Sequence, residues 1–478
     1  MTIQSTPTKR ADALDALRGF AILMMVLSGI IPRDGTFPAW MYHAQVPPPN
    51  YVFNPNLPGL TWVDIVFPIF LFSLGASIPL ALSRLLSKGW GYIQIFLFIL
   101  KRGFLLGTFA IVLHHFRPNI INNLEETPEK WWMALFGFLI LFLMYSRLPR
   151  FVPRFLNQFI TIFGWSLCIV VLSRLEYADG SKFSLERSDI ILIILTNMAF
   201  FGSIIWLFTK SNWWLRLGLL GILLGLRFSA SDEGWVREFW FTSPLPWIFR
   251  FDYLKYLFIV IPGTVVGDLI LKWLKNSETN DGDSTEETWP ASRFLIIAVL
   301  MLSIDLVLLI GLQSRLILQT TLISAVLCAS GWLMFKQPDN QMENLLNKLY
   351  SWGVYWLALG LAFEPFQGGI KKDSATLSYF FITTGMSIFL LIMLMIIRDY
   401  FQHKKFLGIL IYNGQNPMIA YVVFGNLLLP ILKLTGWHEE IAEVSQTPWA
   451  GFGLAVIYTL IVALIVTIFS RLKLFWRT

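Results

Sequence analysis

The chain is expected to be an all-α, polytopic membrane protein, a bundle of about fourteen transmembrane helices. Composition is the first reason: 56% of the 478 residues are hydrophobic and 14% are charged, where a soluble chain would carry roughly 25% charged residues. The second is patterning. Apolar residues fall into runs of about 16 to 26, the length a helix needs to cross a hydrocarbon core of roughly 30 Å, and charge collects between them. Helices satisfy their own backbone groups in lipid, so the spanning elements should all be helical. The third is the placement of aromatic residues. Among 20 tryptophans and 14 tyrosines, Trp131, Trp132, Trp213, Trp214, Trp273 and Tyr350 stand near run ends, where amphipathic rings anchor at the interface.

In order, the runs predict spans near 14–32, 61–82, 93–115, 131–147, 152–174, 188–209, 212–228, 253–274, 292–312, 316–336, 343–364, 375–398, 407–432 and 449–472. Those at 131–147 and 212–228 are short, and the first turn of 343–364 is polar. With the N-terminus inside, 23 of the 37 Lys and Arg residues face the cytoplasm and 14 face outward. Lys9, Arg10, Arg147, Arg150, Arg154, Arg398, Lys404, Lys405, Arg471 and Lys473 are among the first group. That excess is the positive-inside pattern, and it predicts two cytoplasmic ends. It also accounts for the net charge of +7 without nucleic acid. Cys168 and Cys328 each sit inside an apolar run, which argues against a disulfide framework or a cysteine-ligated metal. Residues 1–478 read as a single domain. The acidic stretch Asn276–Trp289 (NSETNDGDSTEETW) is expected to be a mobile cytoplasmic loop. Gly218, Gly221 and Gly225 line one short span and predict close helix packing.

Charges inside apolar runs point towards function, because each costs about 2.5–3.5 kcal/mol at a helix centre. Asp15 and Arg18, three apart in DALDALRGFAILMMVL, share a helix face and can pair. They form either an ordinary interfacial pair or a basic lip for an anion. Lys101 and Arg102 interrupt the third span, and two adjacent cations point about 100° apart, so one should face inward. Asp305 lies mid-span in VLMLSIDLVLLIGL with no partner named by the sequence. Asp64 opens the second span, where a carboxylate caps the helix and complements its dipole. Among the five histidines, His403 and His438 read as surface residues, and His114 and His115 as interfacial ones. His43 lies in a proline-rich loop (PAWMYHAQVPPPNYVFNPNLPG) that Trp40, Tyr42, Tyr51 and Phe53 could fold back over the bundle. A histidine held there could act as a general base or an acyl carrier.

The blocks RADALDALRGFAILMMVL, MYHAQ and GLTWVDIVFPIFLFSLGASI resemble the transmembrane N-acetyltransferases that modify glucosamine, the heparan-alpha-glucosaminide N-acetyltransferase family. Its opening pattern is met by Arg10, Asp15, Arg18 and Gly19. Its second block is met by Gly59, Leu60, Thr61, Asp64, Val66, Phe67 and Pro68, and a third-span motif by Arg102, Phe104, Leu105 and Leu106. Later matches fall at Lys372, Leu377, Ser378 and Tyr379, and at Tyr412, Gly414 and Asn416. The similarity covers roughly 10–115 and 343–470, and the two spans near 292–336 look like an insertion. Ser28 stands where the family has an asparagine.

The resemblance implies a membrane enzyme, in a bacterial inner membrane, that carries the acetyl group of cytosolic acetyl-CoA to an amino sugar or glycan on the far side. His43 would be its catalytic histidine, with Ser28, Asp64 and Asn416 orienting the imidazole or stabilising the oxyanion. Arg10, Asp15, Arg18 and Arg102 would form the CoA site, and Lys372 would meet the substrate. Acetyl-CoA enters as co-substrate and no metal is implied. The expected partners are acyl-CoA, the sugar acceptor and membrane lipid, with a homodimer compatible. Two other readings are a transporter or flippase of amphiphilic sugars and a family member without catalysis.

Overall fold

The computed structural model describes residues 11–122, 126–149, 152–279, 288–403, 405 and 407–478. Arg10, Arg150, Lys404 and the centre of the Asn276–Trp289 stretch lie outside the described residues. The chain begins with α1 (Asp12–Ile30), α2 (Trp62–Ser87), α3 (Tyr92–His115), the short α4 (Pro118–Ile121), α5 (Pro128–Tyr145) and α6 (Arg154–Arg174). Next come α7 (Ile190–Thr209), α8 (Trp213–Ser229), the short α9 (Trp235–Trp240), α10 (Leu257–Thr279), α11 (Ala291–Gln313), α12 (Ile317–Met334) and α13 (Gln341–Phe363). The last third holds α14 (Leu377–Met395), α15 (Gly408–Gln415), α16 (Pro417–Val423), α17 (Leu429–Thr435), α18 (Trp437–Val444) and α19 (Pro448–Arg471). Two-residue strands, β1 (Ser146–Arg147) and β2 (Phe475–Trp476), pair antiparallel.

Eleven helical segments among the described residues are long and apolar enough to cross a membrane. The protein is an all-α, polytopic integral membrane protein. The three expected spans outside that set are helices too. α8 has only 17 residues, α5 opens on Glu129 and Lys130, and α13 opens on Gln341 and Glu343. The expected span 407–432 is observed differently. Asn416 takes a non-helical conformation (φ −132°, ψ 53°) and the crossing segment runs Pro417–Thr435. Pro417 has no N–H to continue a helix, and it pushes the residue before it out of the α region.

The chain divides into two compact units. The first holds residues up to Ala21, Pro38–Ala81 and Pro262–Ile411; the second holds Ile22–Phe37, Leu82–Ile261 and Tyr412–Thr478. Within the first, α10 packs on α2 through glycine. A Cβ on Gly263 would stand 2.6 Å from the Phe72 carbonyl oxygen, and one on Gly267 would stand 2.9 Å from Pro79 and overlap the Ala76 carbonyl. GTVVG is thus the small-residue seam of this unit. α13 meets α14 in the same way, with a Cβ on Gly360 falling 2.6 Å from the Ile382 amide nitrogen. The stripe expected to pack has no close neighbour among the described residues: a Cβ on Gly218, Gly221 or Gly225 would meet none of them within 4 Å. Sequence alone marks small faces, and only the neighbour decides which of them is used.

Within the second unit the C-terminal segment is tied in by a polar clasp. Asn416 donates from Nδ2 to the Leu474 carbonyl (2.8 Å), and its Oδ1 accepts from the Trp476 amide (3.2 Å). Trp476 is buried against Phe109 and Phe138. Cys168 and Cys328 are both free thiols.

Candidate active site

The site lies in the first unit, where the loop after Pro38 meets the start of α2 and the approach to α14. Asp64 stands in the first turn of α2, and its two carboxylate oxygens have different partners. Oδ2 accepts from the Thr61 amide (3.0 Å), the Thr61 hydroxyl (3.0 Å) and the Ala44 amide (3.1 Å). Oδ1 is left to meet His43 Nδ1 at 2.9 Å. The expected capping role is therefore real, and it fixes the geometry of the carboxylate for a second partner. The Tyr379 hydroxyl donates to the Asp64 carbonyl (2.8 Å), and the single Thr61 hydroxyl hydrogen is shared between Asp64 Oδ2 and the Tyr42 carbonyl, 2.7 Å away. Asp64 is almost wholly buried, while the His43 side chain is 36% exposed, so one face of the imidazole is reachable.

Lys372 reaches the same ring from the far part of the sequence. Gly369, at φ +88°, turns the chain so that the next carbonyl, that of Ile370, accepts from the Gly59 amide (2.9 Å). Gln45 holds the two segments together: its Oε1 accepts from the Asp373 amide (2.9 Å), and its Nε2 donates to the Asp373 carbonyl. Lys372 Nζ then lies 3.1 Å from His43 Nδ1 and 3.4 Å from Nε2. Burial pushes the Lys372 ammonium below its ordinary value of 10.5, against the pull of Asp64 and Asp373.

These contacts assign the tautomer. Nδ1 carries either one hydrogen or one lone pair, and a carboxylate can only accept, so Nδ1–H donates to Asp64. Nε2 is then the nitrogen of the neutral ring that carries the lone pair, and the Lys372 amine lies beside the ring, 3.4 Å from Nε2 and nearer still to Nδ1. A histidine oriented by a buried carboxylate can take a proton from an attacking group or attack an acyl carbon itself. A lysine beside it can steady negative charge on a reacting carbonyl oxygen.

The other expected site residues divide between the units. In the first, Arg18 bonds Asp15 (3.2 Å), the Ser73 carbonyl (3.4 Å) and the Ser77 hydroxyl, so both groups of its fork engage the protein. In the second, Ser28 donates to the Met25 carbonyl of its own helix (2.8 Å). Arg102 is half-buried with its guanidinium 5.8 Å from the Phe98 ring, while Lys101 is exposed. Asn416 is the clasp residue. Of the loop aromatics, Tyr42 is buried edge-on against Tyr51, whereas Trp40 and Phe53 are exposed. His115 is buried and bonds the Tyr177 hydroxyl and the Ser184 carbonyl (2.9 Å), so it is a packing residue. Sequence reasoning missed Gln45 as the brace of the site. Its only signal was its position two residues after the histidine in MYHAQ. Among the described residues no three His, Cys, Asp or Glu side chains gather into a metal-ligating group.

Fold and site together define a helical membrane protein with a carboxylate-oriented histidine where a loop meets a helix. The chain belongs to the family described as Domain of unknown function (DUF5009), whose model matches residues 10–270, over half of the chain. That stretch contains His43, Gln45 and Asp64 and ends before Lys372. No curated protein matches the chain.

Proposed function

We propose that this protein is a membrane-embedded acyltransferase that moves the acetyl group of cytosolic acetyl-CoA to an amino sugar or glycan on the outer side of a bacterial inner membrane. The observation that carries the reading is the 2.9 Å contact between His43 Nδ1 and the buried Asp64 carboxylate, with Nε2 left basic. In this reading the acceptor amine attacks the thioester carbon as Nε2 takes its proton. The C–N bond forms, the C–S bond breaks, and the departing CoA sulfur receives the proton from the imidazolium. Attack by Nε2 itself, through an acetyl-histidine, uses the same groups. Lys372 steadies the carbonyl oxygen, and Arg18 offers its charge to a CoA phosphate. The topology that goes with it has about fourteen spans, counting α5, α8 and α13, and both ends in the cytoplasm.

The test is CoA release from acetyl-CoA when amino sugars are supplied to purified protein. Removal of a general base costs at least about 10²-fold, so His43→Ala should abolish release, while His114→Ala should retain it. Full activity in His43→Ala would refute the histidine mechanism. A second reading, a transporter or flippase of amphiphilic sugars, is favoured by Asp305. It is buried within α11, and its Oδ1 has no partner among the described residues. Sugar flux that persists in His43→Ala and stops in Asp305→Asn would select it.

A further inference from the structure

A cavity of about 550 Å³ lies wholly inside the second unit, within the size range of small-molecule sites. Its walls differ in character. One is apolar and includes Met25, Ile191 and Phe424. The other is polar, and its charges are already balanced by the chain. Arg117 bonds the buried Asp189 carboxylate and the Tyr421 hydroxyl (3.2 Å), and that hydroxyl donates to Asp189 (2.8 Å). Lys130 is paired with Glu126 (3.0 Å) and lies 5.0 Å from the Trp131 ring. The buried Asn426 commits Nδ2 to the carbonyls of Phe116 (2.7 Å) and Ala134 (3.4 Å), which leaves Oδ1 as the acceptor it can bring to a ligand.

A wall of matched ion pairs and amides offers donors and acceptors without surplus charge. Each cation already has a carboxylate beside it, so the wall has no surplus positive charge to draw in an anion. A neutral polyol exchanges hydrogen bonds with such a wall as it stands. The apolar wall needs a different complement, a hydrocarbon chain. Two glycines keep the space open: at Gly29 and Gly425 an added Cβ would meet none of the described residues within 4 Å.

We propose that this cavity binds a neutral glycolipid, with the sugar head against Arg117, Tyr421, Lys130 and Asn426 and the chain along the apolar wall. The site does not depend on the acyl-transfer reading, because none of its residues belongs to the His43 site.

The experiment uses the full chain in phosphatidylcholine nanodiscs, which contain no glycoside detergent. The probe is an alkyl β-glucoside with a diazirine in its chain, and the crosslinked peptides are mapped after irradiation. Labelling is expected along the apolar wall, within residues 25–30, at Ile191 and within 417–429. Dodecyl β-glucoside should compete, with glucose and dodecyl phosphate each at least tenfold weaker. Gly29→Phe fills the cavity without removing a contact, so it should cut labelling at least tenfold while leaving thermal unfolding unchanged. Tyr421→Phe removes only a hydroxyl and should weaken competition by dodecyl β-glucoside severalfold. His43→Ala should label like the wild type. Equal competition by dodecyl phosphate would overturn the sugar assignment. Labelling spread over other helices, or untouched by Gly29→Phe, would overturn the site.

Discussion

At the scale of single residues, one carboxylate has two tasks. Asp64 Oδ2 caps the start of α2 and Oδ1 orients His43. Asp64→Asn puts an amide where two acceptor oxygens stood, so the imidazole loses the partner that fixes its tautomer. We expect a rate loss of at least about 10²-fold with CoA binding retained, and a loss of about 1 kcal/mol in stability from the weakened cap. Near-normal CoA release by Asp64→Asn would remove the dyad from the mechanism. Lys372 makes a prediction about pH. Its folded pKa is lowered below the ordinary 10.5, chiefly by burial, so the unfolded chain binds the extra proton over the window between the two values. Stability contributed by this group therefore rises as pH climbs through that window towards about 10.5. Thermal midpoints from pH 7 to 10 should gain in the wild type relative to Lys372→Met; parallel profiles would contradict the assignment. His43, Asp64 and Lys372 could all be picked from the sequence. The tautomer could not, because it depends on which ring nitrogen the carboxylate meets. Nor could the clasp formed by Asn416, since its partners lie about sixty residues further on.

At the scale of helices, close approach is decided by pairs of surfaces. Gly267 lies against the Ala76 carbonyl, so Gly267→Leu forces α10 away from α2 and should cost at least about 1–3 kcal/mol, the range of overpacked interiors. Gly221→Leu projects into open space and should stay within about 0.5 kcal/mol. Unfolding of the two variants in detergent checks both; equal losses would show that the α8 stripe is packed after all. The helical content of the spans was legible because hydrophobic run length is a local property. Choosing between GTVVG and the α8 glycines was not, since both put small residues on one face. The break at Asn416 was written in the adjoining Pro417, but an apolar run that continues past a proline conceals it.

At the scale of the whole molecule, the proposed topology of about fourteen spans would place the N-terminus, the loop after α10 and the C-terminus on one side. Single cysteines introduced by Ser5→Cys, Ser277→Cys and Thr478→Cys should all resist an impermeant thiol reagent applied to intact cells. Labelling at Ser277→Cys with neither end labelled would mean an odd number of spans between them. The two units are also interleaved along the chain, and this bears on the order in which the protein can be made. Everything in the first unit has been synthesised by Ile411, whereas the second still needs Tyr412–Thr478. β1 at Ser146–Arg147 must wait for β2 at Phe475–Trp476. At about 5–20 residues per second that delay is roughly 15 to 65 s. For that interval a half-built unit is already in the bilayer with Phe109 and Phe138 lacking the indole of Trp476. Assembly of the second unit thus waits on residues 412–478, and the seat between Phe109 and Phe138 stays unfilled until the ribosome delivers Trp476.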